Sequence, residues 1–206
     1  MIVVVDYGVN NLASVVRAFR ETGHEVTLSP DPGVVGRASR VVMPGVGHFA
    51  QAAENLRRSG LGDAVREVSA AGRPVLGICL GLQLFFARSE EAPDTPGLGI
   101  LEGDVVKFRT DLPVPHVGWA RVEPTGPGKR HEAFAALFRD EPQFFYHVHS
   151  YHPHAVPAGD VLATAEYGEI FPTLVGQDNE LGAQFHPEKS QRAGLALLDG
   201  FARWGA

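Results

Sequence analysis

The sequence predicts an α/β fold: a mostly parallel sheet with helices on both faces and antiparallel strands added in the second half. Short apolar runs alternate with amphipathic stretches early in the chain, which is the pattern of strand–helix–strand units. Later runs are short, close together and punctuated by glycine and proline, as antiparallel strands are. The only cysteine stands where an apolar run passes into a helical one, at the carboxyl end of a strand, where sheets of this kind carry their sites.

Ile2–Val5 is an uninterrupted apolar run dominated by β-branched residues and reads as a strand buried on both faces. Residues 11–22 place Leu12, Val15, Val16 and Phe19 at helical spacing. Residues 25–28 and 40–43 read as further strands, and 49–71 as helix with a break near Ser59-Gly60. Residues 74–78 form the next strand and 80–88 its helix. Beyond Gly97 the β-like runs are 103–109, 119–122, 143–148, 161–165, 173–177 and 181–185, all expected to add antiparallel strands. A helix over 191–204 closes the chain. The glycines at 97, 99 and 103 do not have phosphate-loop spacing and read as turns. With no linker, repeat or low-complexity stretch, residues 1–206 are expected to form a single domain.

The chain has 206 residues, enough to bury roughly 70% of its unfolded surface. Its formal net charge of −6 argues against nucleic acid or an anionic membrane as a partner. A single cysteine excludes an intrachain disulfide framework and fits a reducing compartment. The apolar run at the N-terminus is too short for a signal peptide or a membrane span, so a cytoplasmic protein is expected.

Cys79 lies in Gly77-Ile78-Cys79-Leu80-Gly81, a nucleophile elbow with sulfur in place of the usual serine oxygen. The tight turn forces the nucleophile into a cramped backbone conformation, so the residues two before and two after it must lack bulk. A thiol at a helix N-terminus is biased toward the reactive thiolate. An isolated cysteine would more simply be a small buried hydrophobe. Such a nucleophile needs a base, and Phe185-His186-Pro187-Glu188 offers one. A strand ends at a histidine with a carboxylate two residues on, the pair expected to share one side of an extended segment. His186 is thus the candidate base and Glu188 the group that selects its tautomer. Met43-Pro44-Gly45-Val46-Gly47, after the 40–43 strand, is a loop able to turn backbone N–H groups toward an oxyanion, beside the amide of Leu80.

These three pieces resemble the triad (class I) glutamine amidotransferases, and more narrowly the glutaminase subunits of imidazole glycerol phosphate synthase. Further matching runs are Asp6-Tyr7-Gly8-Val9-Asn10-Asn11-Leu12, Ser89-Glu90-Glu91, His116-Val117-Gly118-Trp119, Tyr146-His147-Val148-His149-Ser150-Tyr151 and His186-Pro187-Glu188-Lys189-Ser190. The resemblance implies a flavodoxin-like sheet and attack by Cys79 on the side-chain amide of L-glutamine. His186 would then move the proton to the leaving ammonia, with Glu188 orienting it. It implies Val46, Gly47 and Leu80 as oxyanion donors, and Gln83, Glu91, Ser150 and Tyr151 as the glutamine-binding set. It implies no cofactor and no metal. The partner it implies is a (β/α)₈-barrel cyclase, joined as a heterodimer, to which ammonia is channelled for histidine biosynthesis; Tyr146 and Lys189 match interface positions.

Two positions depart from the family pattern, Asn10 for glycine and Ala120 for asparagine. Asparagine tolerates positive φ, so the first exchange is expected to preserve the backbone. The alternatives are a metalloprotein built on His147, His149, His152 and His154, a non-catalytic subunit on the same fold, and a glutaminase of the pyridoxal-phosphate synthase type.

Overall fold

In a computed structural model, residues 1–138 and 143–205 are described. The elements run β1 (Ile2–Val5), α1 (Leu12–Glu21), β2 (Val26–Ser29), α2 (Pro32–Gly36), β3 (Arg40–Gly45), α3 (Phe49–Ser59), α4 (Leu61–Ala70), β4 (Val75–Cys79) and α5 (Leu80–Gln83). There follow β5 (Asp104–Lys107), β6 (His116–Pro124), α6 (Gly126–Arg130), β7 (Gln143–His149), β8 (Tyr151–His154), β9 (Val161–Glu166), β10 (Ile170–Gln177) and β11 (Glu180–Ala183). A 3₁₀ turn (Pro187–Lys189) then leads into α7 (Gln191–Arg203).

Nine strands form one sheet in the order β2-β1-β3-β4-β11-β10-β9-β6-β7. The half from β2 to β11 is parallel and the half from β10 to β7 antiparallel. Strand alternation divides the core. Val4, Val42, Leu76 and Ile78 face one side, where they meet Phe19 of α1 and Phe201 of α7. Val3, Val5, Val41, Met43 and Val75 face the other, against Phe49 and Leu56 of α3 and Val65 of α4. Burying each such side chain contributes about 1.5–3 kcal/mol, and burial on both faces is why these strands read as continuous apolar runs.

The break between α3 and α4 falls at Gly60, whose φ of 73° is the left-handed conformation that ends helices. No helix among the described residues is long and apolar enough to cross a membrane.

Several expectations are corrected. The helix over 80–88 is only Leu80–Gln83. The chain leaves it because the carbonyls of Leu84, Phe85 and Ala87 are taken by the amides of Leu98, Ile100, Leu101 and Gly97 instead of by a continuing helix. The strand at 181–185 is not an antiparallel addition: β11 runs parallel to β4 in the middle of the sheet and is antiparallel only to β10. The run at 103–109 lies outside that sheet, and its β5 pairs with β8 as a separate two-stranded ribbon. Sequence patterning missed β8 because Tyr151-His152-Pro153-His154 has no apolar alternation. In the first loop the left-handed residues are Gly8, at φ 80°, and Asn11, at φ 74°, not Asn10. Ala120 is buried in the core opposite Phe145, a place where a polar side chain would need a partner.

Candidate active site

Cys79 is the last residue of β4 and the cap of α5, with φ 53° and ψ −109°. That strained conformation is held by what surrounds it. A Cβ at Gly77 would lie 2.7 Å from Leu82 Cα, and one at Gly81 would overlap the Met43 carbonyl. Both flanking glycines are therefore steric requirements of the elbow, as the sequence predicts. α5 is a single turn, so the helix-terminus field on the thiol is smaller than the longer expected helix would supply.

β11 lies beside β4, and the residues that follow it carry the other reactive groups. His186 Nδ1 lies 2.7 Å from Glu188 Oε1, and both side chains are buried. The expected extended His-Pro-Glu register is corrected: residues 187–189 form a 3₁₀ turn, closed by Lys189 N–H donating to the His186 carbonyl at 3.1 Å. The turn, not strand pleating, folds Glu188 back onto the ring. It is stitched to β7, with His186 N–H donating to Tyr146 O at 2.9 Å and Tyr146 N–H to Ser190 Oγ at 3.0 Å. α7 packs so tightly that a Cβ at Gly194 would overlap the Pro187 carbonyl.

Glu188 Oε1 also accepts from Asn11 Nδ2 at 2.6 Å. This partner was not singled out from the sequence; its left-handed backbone, which only a few residue types adopt readily, is the local signal. With Oε1 held from two sides, Nδ1 carries a proton and Nε2 is the nitrogen left for chemistry. Nε2 is buried and pairs with no nitrogen or oxygen, and the Cys79 sulfur lies near enough to act on it. Burial alone would lower the pKa of the ring, but the charge of an ionised Cys79 sulfur and the hydrogen bond to Glu188 raise it to about 10.

A raised histidine pKa stabilises the fold fully below the unfolded value of about 6.5, and that contribution disappears as pH rises toward about 10. Denaturant midpoints are accordingly expected to fall between those limits, and His186→Gln to flatten that part of the profile. A slope identical in both proteins would refute the assignment.

Beside Cys79 lies a pocket of about 200 Å³, lined by Val46, Gly47, Leu80, Gln83, Glu91, Ser150 and Tyr151, together with Pro115, Val148 and His149. All the residues expected as oxyanion donors or glutamine ligands thus meet at one cavity. Within it, Gln83 Nε2 is bound to the Tyr151 carbonyl at 3.0 Å and to Gln184 Oε1 at 3.1 Å. Gln184, also missed from the sequence, is fully buried and points Nε2 at Cys79 Sγ from 3.7 Å. Glu91 Oε2 accepts from Phe49 N–H at 2.7 Å, at the start of α3. Tyr146 and Lys189 lie together outside the pocket, the Lys189 Nζ 5.7 Å from the centre of the tyrosine ring.

The histidine cluster packs as part of the core, each of its three buried rings bonded through at least one nitrogen to the chain itself. His147 bonds Phe145 O and Thr173 Oγ1, His149 bonds Tyr151 O, and His152 bonds Pro153 O. Their rings pack among Phe108 and Phe171, and burial lowers the pKa of His147 to about 3 and that of His149 well below the ordinary value. His154 is exposed, and among the described residues no group of three or more His, Cys, Asp or Glu is placed to hold a metal ion.

Comparison with known proteins fits this geometry. The family profile "Glutamine amidotransferase class-I" matches residues 3–202. The chain is 49% identical over 204 residues to the imidazole glycerol phosphate synthase subunit HisH of Symbiobacterium thermophilum, covering 99% of this chain and 92% of that protein. It is 43% identical to the same-named subunit of Salinibacter ruber, covering 98% and 94%, and 44% identical to that of Methanopyrus kandleri, covering 96% and 94%. Among solved structures, a glutamine amidotransferase superposes with a TM-score of 0.76 at 21% identity over 97% of this chain and 98% of its own. The glutaminase domain of Trypanosoma brucei CTPS, solved with acivicin, gives 0.68 at 15% over 98% and 93%; both likenesses concern the fold. A chain with this elbow, this histidine–carboxylate turn and these relatives belongs to the class-I glutamine amidotransferases, and within them to the HisH subunits of imidazole glycerol phosphate synthase.

Proposed function

We propose that this chain is the glutaminase subunit of an imidazole glycerol phosphate synthase, releasing ammonia from L-glutamine through a thioester on Cys79. The observation that carries the reading is a strained thiol at the wall of a small pocket, near enough to the buried His186 ring for its charge to act on that ring, whose Nδ1 is bonded to a buried carboxylate. Glutamine lies with its side-chain amide against Cys79 and its polar ends toward Gln83, Glu91, Ser150 and Tyr151. Sulfur attacks the amide carbon, and the C=O π electrons move to oxygen. The resulting oxyanion is received by the amide of Leu80 and by those of Val46 and Gly47. His186 Nε2, having taken the proton of the Cys79 thiol as the sulfur attacks, gives it to the departing nitrogen; the C–N bond breaks, the oxyanion reforms its C=O as the thioester, and ammonia leaves. The same nitrogen then takes a proton from water as it attacks the thioester, and glutamate and the free thiol result.

The partner is a (β/α)₈-barrel cyclase that binds as a heterodimer. Supporting this is an apolar face on β6 and β7, where Val117, Trp119 and Phe144 are 57%, 47% and 55% exposed beside Tyr146 and Lys189. That face adjoins the His186 turn, because Tyr146 is bonded to both His186 and Ser190. Glutamate release is expected to be slow from the subunit alone. It should rise when a relative's cyclase subunit and its nucleotide ligand are added, since Gly45 and Gly47 give the loop alternative conformers that a partner can bias. Equal turnover with and without the cyclase would refute that dependence. A stable complex with a pyridoxal-phosphate synthase barrel instead would redirect the assignment.

A further inference from the structure

Tyr7 lies two residues after β1 and is buried, and neither oxyanion donors nor triad include it. Its hydroxyl donates to the Pro44 carbonyl at 2.6 Å. Pro44 is the next-to-last residue of β3, and the chain leaving it is Gly45-Val46-Gly47. The phenol sits at the junction of that strand end with the elbow. A Cβ at Gly45 would overlap the Tyr7 hydroxyl and would lie 3.3 Å from Leu80 Cβ and 3.5 Å from Gly81 N. The Tyr7 backbone is anchored in turn, its carbonyl accepting from Asn55 Nδ2 at 3.0 Å. Burial, and after it the charge of a nearby ionised Cys79, raises the phenol's pKa, so the hydroxyl remains a neutral donor throughout the working range.

We infer that Tyr7 is a positioning residue for the oxyanion loop: by holding the Pro44 carbonyl, its hydroxyl aims the amides of Val46 and Gly47 at the pocket beside Cys79. The inference rests on the glutaminase reading above. Its physical basis is the planarity of the peptide bond. Fixing the Pro44 oxygen also fixes the Gly45 N–H in the same plane, and so the direction in which the loop departs. Without that anchor a segment with glycine at 45 and 47, the latter at φ 132°, has many conformers open to it. The ring of Tyr7 packs in the core whether or not it carries oxygen, so packing and positioning are separable.

The test compares the unsubstituted chain with Tyr7→Phe and Tyr7→Leu, each in complex with the cyclase subunit. Loss of one oxyanion donor costs about 10²–10³ in kcat, and a misaimed loop less, so Tyr7→Phe is expected to lower kcat by roughly tenfold. Its KM for glutamine should stay within about twofold, because ground-state binding is retained. Alkylation of Cys79 by iodoacetamide should be unchanged in both variants, since displacement at a saturated carbon develops no oxyanion. Tyr7→Leu should lose at least as much turnover as Tyr7→Phe. Full kcat in Tyr7→Phe, with or without loss in Tyr7→Leu, overturns the inference, as does a parallel fall in kcat and alkylation. Absence of turnover in the unsubstituted complex overturns the glutaminase reading and this inference with it, whereas normal turnover there and in Tyr7→Phe overturns this inference alone.

Discussion

Alanine at position 79 is expected to lower partner-stimulated glutamate release by at least about ten-thousandfold, equivalent to some 5 kcal/mol of transition-state stabilisation. No second thiol can take over: the chain has one cysteine, and the hydroxyls and carboxylate lining the cavity, Ser150, Tyr151 and Glu91, do not share the strained turn of the elbow. The effect is chemical and not structural. Alanine occupies less space than cysteine in the same backbone conformation, and the loss of one buried sulfur costs about 1 kcal/mol, too little to unfold the protein. Melting and steady-state kinetics on the same preparation separate the two. Turnover within about tenfold of the parent would remove Cys79 from the reaction.

The second large effect belongs to a residue with no chemistry. Gly81→Ala drives a methyl into the Met43 carbonyl, on a strand buried from both sides that has no room to retreat. The expected cost is about 3 kcal/mol, or roughly 6–12 °C in Tm for a chain of this size. Glutaminase activity falls with it, because relief of the overlap pushes the end of β3 and the 44–47 loop away from Cys79. Gly159→Ala is the control, since a Cβ there meets nothing within 4 Å. Equal stability of the two variants, read from thermal melts, would show that the elbow tolerates bulk.

Much of this site was legible in the residues because its steric demands are local. The glycines at 77 and 81 follow from the turn at Cys79, and the two buried faces of β1, β3 and β4 make apolar runs that need no partner to be read. Where long-range pairing decides, the reading stopped. Nothing in Glu180-Leu181-Gly182-Ala183 announces that it pairs with residues about a hundred positions earlier, so its direction was misread. The helix at 80–88 has good local propensity, yet the carbonyls it needs are claimed by 97–101. His186 and Glu188 were paired correctly for the wrong geometric reason, the 3₁₀ turn being set by α7 and β7 packing around it. Asn11 and Gln184 escaped notice because an amide declares its role only through the atom it faces.

On the proposed mechanism, the place of β11 in the sheet governs when the site is assembled. During synthesis the chain emerges from its amino end, and β4 with Cys79 is complete long before β11, His186 and Glu188 exist. Until then β4 has an unpaired edge on the side that β11 will occupy, and the hydrogen-bonding groups there invite association with other chains. Insertion of β11 closes that edge and brings in His186 in the same event, while Asn11 and Glu188 join distant parts of the chain. Such distant contacts make folding slow. On the proposed mechanism they also tie ammonia release to completion: a chain that stops short of β11 holds the thiol but neither His186 nor Glu188.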